Sequence, residues 1–285
     1  MRTPFIGREA MASGQLTRHK LRSRFVAIYP GVYIDADARL TARDRAKAAW
    51  LWSRRRGVLA GRSAAAMHGA KYVDPWLPAE ILHDNRHAPK GLRVFSDVLD
   101  EPDVMTVDGI PVTTPVRTAV DIARRYPFGP AVTAIDTLAN ATRLTTPELR
   151  LLARRYPGLG GIRRAEKTLQ FVDPGSESPK ETWLRLLVIR NGFPPPETQI
   201  PVYNEHGVLV AVLDMGWRDR KLALDYEGEH HRNAVRFNTD IRRHDEVTDL
   251  GWTDIRVTSL DTEAVIIARL TAEWARSAKP AAWSA

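Results

Sequence analysis

Apolar positions recur along this chain with two periods, and the switch between them predicts its organisation. Helical spacing runs through residues 6–13, 41–56, 116–126, 130–139, 146–156, 162–171, 179–191 and 238–250, with Thr17, Thr146 and Ser178 placed to cap helix starts. Strand-type runs fall at residues 80–83, 92–95, 199–203, 208–215, 221–227 and 252–257. Residues 208–215 and 221–227, joined by the polar turn 216–220, predict a hairpin. Side chains of a strand alternate sides. Leu222, Leu224 and Tyr226 therefore share one face, and Ala223, Asp225 and Glu227 the other.

The patterns order into three domains. Residues 1–40 read as helix, turn, basic helix and two short strands around Pro30-Gly31, a winged-helix layout. From its second helix Arg18, Lys20, Arg22 and Arg24 could contact phosphates or base edges, with Tyr33 packing or touching DNA from the wing. Any one of these cations taken alone is better read as part of a solvated helix face. Residues 41–172 read as mostly helical with a few strands, and they hold no catalytic constellation, since His68, His83 and His87 are scattered. The Pro/Gly/Ser-rich segment 173–179 marks a boundary, after which residues 176–285 run in the order helix, three strands, helix, strand. The expected class is α+β and multidomain, with a C-terminal α/β domain built on a mixed sheet.

The hairpin also concentrates chemistry. Asp214 ends its first strand near Asp225 and Glu227, and three convergent carboxylates resist ionisation unless a cation joins them. Oxygen-only ligation favours Mg²⁺ or Mn²⁺. The plainer reading, a solvated strand edge, accounts less well for Gly228 and His230-His231 crowded beside these acids. In the helix opening the last domain, Glu181 lies on the stripe of Leu184 and Val188, so it faces inward toward the acids, completes a capping box with Ser178, or does both. Lys221 shares the acid face but stands six residues before Glu227.

Charge changes this picture by its distribution. Residues 1–175 hold 28 Lys and Arg against 17 Asp and Glu, whereas residues 176–285 hold 14 against 17. A basic N-terminal region joined to an acidic C-terminal one suggests nucleic acid brought to a carboxylate site. An Arg-rich proteome would also raise the total, and charge alone does not separate DNA from RNA. The absence of cysteine excludes disulfides and thiolate metal sites, and apolar runs too short for a membrane span, with no secretory signal visible, predict a cytoplasmic location.

Two resemblances attach to these residues. Residues 1–40 resemble the winged helix of AbiEi-type antitoxins and related transcriptional regulators, and residues 41–172 resemble the body of those proteins. Residues 176–262 resemble the Vsr-like branch of the PD-(D/E)xK nuclease superfamily, with its restriction-endonuclease-like fold, through Glu181, Gln199, Asp214, Asp225-Tyr226-Glu227-Gly228, His231, Asp240, Arg243, Gly251-Trp252 and Arg256. The second resemblance implies that Asp214 and Asp225 ligate Mg²⁺ or Mn²⁺, with Glu227 and Glu181 directly or through water. It further implies that His231 serves as general base or leaving-group partner and that Arg243 neutralises phosphorane charge. Glu227 stands where the wider superfamily has lysine, a replacement common in Vsr-like members. The function expected is a metal-dependent DNA endonuclease or nickase targeted by its N-terminal domain, and the alternative is a non-catalytic DNA-binding regulator or antitoxin using the nuclease fold as scaffold. A toxin or a DNA-repair protein would be the partner besides DNA, and no membrane is implied.

Overall fold

The computed structural model describes residues 2–85, 87–145, 147–148, 155–227 and 244–277. It divides into two compact units, Met1–Pro174 and Gly175–Ala285, so the break falls within the predicted Pro/Gly/Ser segment.

In the first unit β1 (Phe5–Ile6), α1 (Gly7–Ala12), α2 (Arg18–Arg24), β2 (Phe25–Tyr29) and β3 (Val32–Asp35) succeed one another. The strands form an antiparallel sheet in the order β1-β3-β2. Thr17 caps α2 by accepting from the Lys20 N–H at 3.2 Å. Gly7 is required where it stands, because a Cβ there would lie 2.7 Å from the Tyr33 ring.

The unit continues through α3 (Ala42–Trp52), β4 (Val58–Leu59), α4 (Gly61–Met67), β5 (Ala79–Leu82), β6 (Leu92–Phe95), β7 (Val104–Val107), β8 (Ile110–Thr113), α5 (Pro115–Arg125), α6 (Phe128–Thr142) and α7 (Ile162–Leu169). Its second sheet is five-stranded, in the order β6-β5-β4-β8-β7. The middle region is thus less helical than the pattern predicts. Its strands have two to four residues, too few to establish an alternation. Nor do residues 1–40 stand apart, since Tyr29 and Val32 share a core with Ala46, Ala49, Leu59, Ile81 and Ile110. The helix expected over 41–56 ends at Trp52, and Arg54 and Arg55 adopt left-handed backbone at φ 57° and 64°. Beneath α5 lies a buried ionic network in which Arg117 pairs with Asp103 at 2.6 Å and Asp121 at 3.2 Å, and Arg124 with Asp121 at 2.8 Å. Most of the helix predicted over 146–156 lies outside the described residues.

The second unit comprises α8 (Pro179–Arg190), β9 (Glu197–Tyr203), β10 (Leu209–Trp217), β11 (Leu222–Tyr226), helical residues 244–249, β12 (Thr253–Val257) and α9 (Glu263–Arg276). β9, β10 and β11 run antiparallel and β12 joins β11 in parallel, giving the expected mixed sheet. Leu222 and Leu224 pack with Leu184, Leu187, Ile266 and Leu270 of α8 and α9. Ala223 packs on the other face with Ile200, Leu213, Val247 and Trp252. The alternation read from the sequence therefore separates two cores. Among the described residues no helix is long and apolar enough to cross a membrane.

Gly216 fixes the close approach of β10 and β11, because a Cβ there would collide with the Leu222 carbonyl and lie 2.9 Å from the Ala223 Cα. Backbone cannot yield as a flexible side chain can. Gly216→Ala is expected to cost about 1–3 kcal/mol, read as a lower midpoint in urea unfolding of the full chain.

Candidate functional site

The ladder between β10 and β11 pairs Trp217 with Leu222, Gly216 with Ala223 and Met215 with Leu224. At the next step two side chains take over. The Asp214 N–H donates to Asp225 Oδ1 at 2.8 Å, and the Tyr226 N–H donates to Asp214 Oδ2 at 2.9 Å. Each carboxylate thus satisfies a backbone donor of the opposite strand, and the two are held side by side. Across β9 the irregularity continues: Gln199, between the Ile200–Leu213 and Thr198–Met215 pairs, has φ +50°, unusual for a residue with a side chain. Leu213 and Met215 consequently pack into opposite cores, although two residues apart in a regular strand they would share a face.

Asp214, Asp225 and Glu227 open onto one cleft of about 220 Å³, lined also by Tyr226, His244, Asp254 and Arg256. The parallel register sets Arg256 beside Asp225 and Asp254 beside Ala223. Arg256 donates to Glu227 Oε1 at 2.8 Å and to Asp254 Oδ2 at 3.3 Å. These two carboxylates outweigh the burial that opposes its cation. The His244 ring stands 3.7 Å from Asp254, whose side chain is 4% exposed.

Glu181 is buried in the first turn of α8, and the capping box expected there forms only in half. Ser178 Oγ accepts from the Glu181 N–H at 3.2 Å, while Glu181 Oε2 accepts from the Glu177 N–H at 2.8 Å, one residue before the Ser178 N–H of a standard capping box. Burial pushes its carboxyl above the ordinary value, hydrogen bonds from the Glu177 N–H and the Ser178 hydroxyl oppose the shift, and the carboxylates of Asp214 and Glu177 add to it. Glu181 is therefore within electrostatic reach of Asp214.

The structure places Asp214, Asp225 and Glu227 together on one cleft, whose lining does not include Glu181. His231, Arg243, Gly228 and Asp240 lie outside the described residues. Gln199, read as preceding the first strand, lies inside it. Lys221 is committed elsewhere, its Nζ donating to the Leu250 carbonyl at 2.9 Å. His244 and Asp254 were missed. The alternation Asp254-x-Arg256 in a strand was the available signal, but only the pairing of β12 with β11 turns that face toward the acids.

The donor set suits a hard divalent cation. It is all oxygen at Asp214 and Asp225, and Mg²⁺ is commonly held by one or two carboxylates with water completing its shell. Among the described residues no three acidic or histidine side chains form an ion-enclosing group on their own. Asp214 and Asp225 would hold the ion, with water and Glu227 or Glu181 as further donors.

The second candidate surface is α2. Arg18, Lys20, Arg22 and Arg24 are all exposed, and none forms an ion pair among the described residues. Tyr33 is half-buried, its ring 6.3 Å from that of Phe5. It packs the sheet against α1.

Comparison with known proteins finds a match to the AbiEi antitoxin C-terminal domain over residues 57–171. Two uncharacterized Mycobacterium tuberculosis proteins, Rv2248 and MT2308, are each 32% identical over 152 residues, which is 53% of this chain and 56% of the relative. The chain thus spans about half the length of the curated relatives it matches. The crystal structure of the RV2827C protein from Mycobacterium tuberculosis aligns with 71% of this chain and 84% of its own at 16% identity, with a TM-score of 0.38. The AbiEi-like part of the sequence reading is supported by these findings, and the Vsr-like part receives no support from them.

The raised Glu181 carboxyl gives a pH test. A group whose folded pKa lies above its unfolded value contributes stability that is present at low pH and lost as pH rises through the folded pKa. The melting temperature of Glu181→Gln relative to wild type should therefore climb as pH rises above the ordinary glutamate value. A flat difference in calorimetry would show that burial does not raise the Glu181 carboxyl.

Proposed function

We propose that this chain is an antitoxin-like, DNA-binding regulator whose first unit docks on duplex DNA through α2. The observation that carries this reading is the AbiEi antitoxin match over residues 57–171, preceded in the chain by a helix–helix–hairpin segment with four exposed cations that form no ion pair among the described residues. The winged-helix assignment belongs to this reading, with α2 as the helix that approaches the groove and β2–β3 as the wing. Phosphate neutralisation would supply most of the affinity. The toxin or repair partner suggested by the family resemblance would be engaged elsewhere on the chain.

A second reading is favoured by one specific observation, the reciprocal lock of Asp214 and Asp225 at the mouth of an acidic cleft. On this reading the second unit is a Mg²⁺- or Mn²⁺-dependent endonuclease or nickase, a restriction-endonuclease-like domain. A bound cation would supply polarisation of the phosphodiester and acidification of an attacking water. The chain's own residues do the rest. Asp214 and Asp225 would hold the ion, Glu181 would support them from α8, and Arg256 would neutralise charge on the scissile phosphate from a position fixed by Asp254 and Glu227. His231 and Arg243 keep the general-base and charge-neutralising roles given by the resemblance. The comparisons support the regulator better than the nuclease.

Arg18→Ala combined with Arg22→Ala should weaken duplex binding similarly for all sequences and lower the slope of log K against log salt by roughly 2. Fluorescence anisotropy over a salt series reads this directly, and an unchanged slope would remove α2 from the interface. Incubation with supercoiled plasmid in Mn²⁺ or Mg²⁺, against EDTA, tests the second reading. Metal-dependent nicking that falls at least about 100-fold in Asp214→Ala, with duplex affinity intact, is the expected result if the cleft is catalytic. Intact plasmid under every metal would leave the regulator alone.

A further inference from the structure

Between α4 and β5 the first unit carries a surface loop that its core does not explain. Tyr72 is 62% exposed and Trp76 76% exposed, and Leu77 lies beside them at 36%. Isolated apolar side chains on a surface are ordinary, but a Tyr, a Trp and a Leu within six residues make a patch. The backbone is held in place rather than loose. Tyr72 sits at φ +60°, a conformation that aromatic residues rarely adopt and that persists only where the surroundings impose it. The Trp76 N–H donates to Asp74 Oδ1 at 2.8 Å, and the Arg45 guanidinium of α3 donates to the Pro75 carbonyl. Two aromatic rings are thus presented to solvent on a rigid support.

The rim of the patch is basic. Lys71 adjoins Tyr72, Arg45 lies beneath Pro75, and the turn at Lys90-Gly91 reaches the same guanidinium, whose Nη1 stands 3.4 Å from where a Gly91 Cβ would be. Asp74 is the single acid within the loop, and its carboxylate is occupied by the Trp76 N–H. The region to residue 175 holds 28 Lys and Arg against 17 Asp and Glu. Rigid exposed aromatics bordered by cations are the arrangement that stacks on unpaired bases while tracking a phosphate backbone. A duplex hides its base faces and offers such rings nothing to stack on. We propose that the Tyr72–Trp76 loop is a binding site for single-stranded nucleic acid, separate from the duplex-binding role given to α2.

The test uses the full chain and two fluorescein-labelled probes, an oligothymidylate and a duplex of the same length, read by anisotropy. Trp76→Ala should weaken oligothymidylate binding at least about fivefold, with duplex affinity changed less than about twofold, and Trp76→Phe should retain most of the single-strand affinity because it keeps a ring. Arg18→Ala combined with Arg22→Ala should show the opposite pattern, so failure of the α2 reading is distinguishable from failure of this one. The exposed position of Trp76 leaves folding intact in the variant, which an unchanged melting temperature verifies. The proposal is overturned if wild type fails to bind oligothymidylate, if Trp76→Ala binds it as wild type does, or if both probes lose affinity equally. It is equally overturned if Trp76→Ala acts only by abolishing self-association in size-exclusion chromatography, since the patch would then dock protein.

Discussion

The second unit depends on one exchange, in which Asp214 and Asp225 each accept a backbone N–H of the opposite strand. A regular antiparallel pair would continue its bonds past Met215 and Leu224, and its acids would point away from each other's backbone. Here the carboxylates substitute for the ladder, so the strands can part without orphaning donors. The same step places two anionic side chains next to each other at a cleft. The distortion reaches β9, where Gln199 takes a left-handed backbone, and it changes which core Leu213 and Met215 enter. Such a backbone conformation costs about 1–3 kcal/mol and persists only where the surroundings fix it.

Local chemistry was legible in the sequence where the structure is local. Thr17 and Ser178 cap the helices they precede, the 173–179 segment brackets the division between units, and the alternation from Leu222 to Glu227 sorts two cores. What failed depends on distance along the chain. The two-residue strand β4 exists only because β5 and β8 flank it, and no alternation of its own announces it. Asp254 reaches the acids through the parallel pairing of β12 with β11, and His244 from the helical residues before that strand, which spacing within either segment does not encode. The left-handed backbone of Gln199 is equally silent, since glutamine has no preference for it.

The first unit shows why a motif-sized domain boundary misleads. Residues 1–40 carry a complete helix–helix–hairpin pattern, yet Tyr29 and Val32 are buried in a core shared with α3, β4, β5 and β8. The Tyr29 hydroxyl also donates to the Gly91 carbonyl at 2.8 Å, tying β2 to the loop before β6. A segment this short buries too little surface to stand alone and borrows its core from the α3–β8 region. The orientation of α2 is accordingly set by the AbiEi-like body, not by the hairpin alone.

Charge balance decides how the cleft is best understood. Among the described residues, Asp214, Asp225, Glu227 and Asp254 line it against one arginine, Arg256, and the buried Glu181 has its carboxyl pushed upward. Arg256 is itself shared between Glu227 and Asp254, so the described lining carries more negative charge than positive. Side-by-side carboxylates are relieved by a proton or by a cation. Burial pushes the Glu181 carboxyl toward the first course, and the second is the one proposed for the oxygen-only pair at the open cleft. The AbiEi match covers residues 57–171 and does not extend to these positions. The regulator and nuclease readings therefore concern different units, and support for one is not evidence against the other.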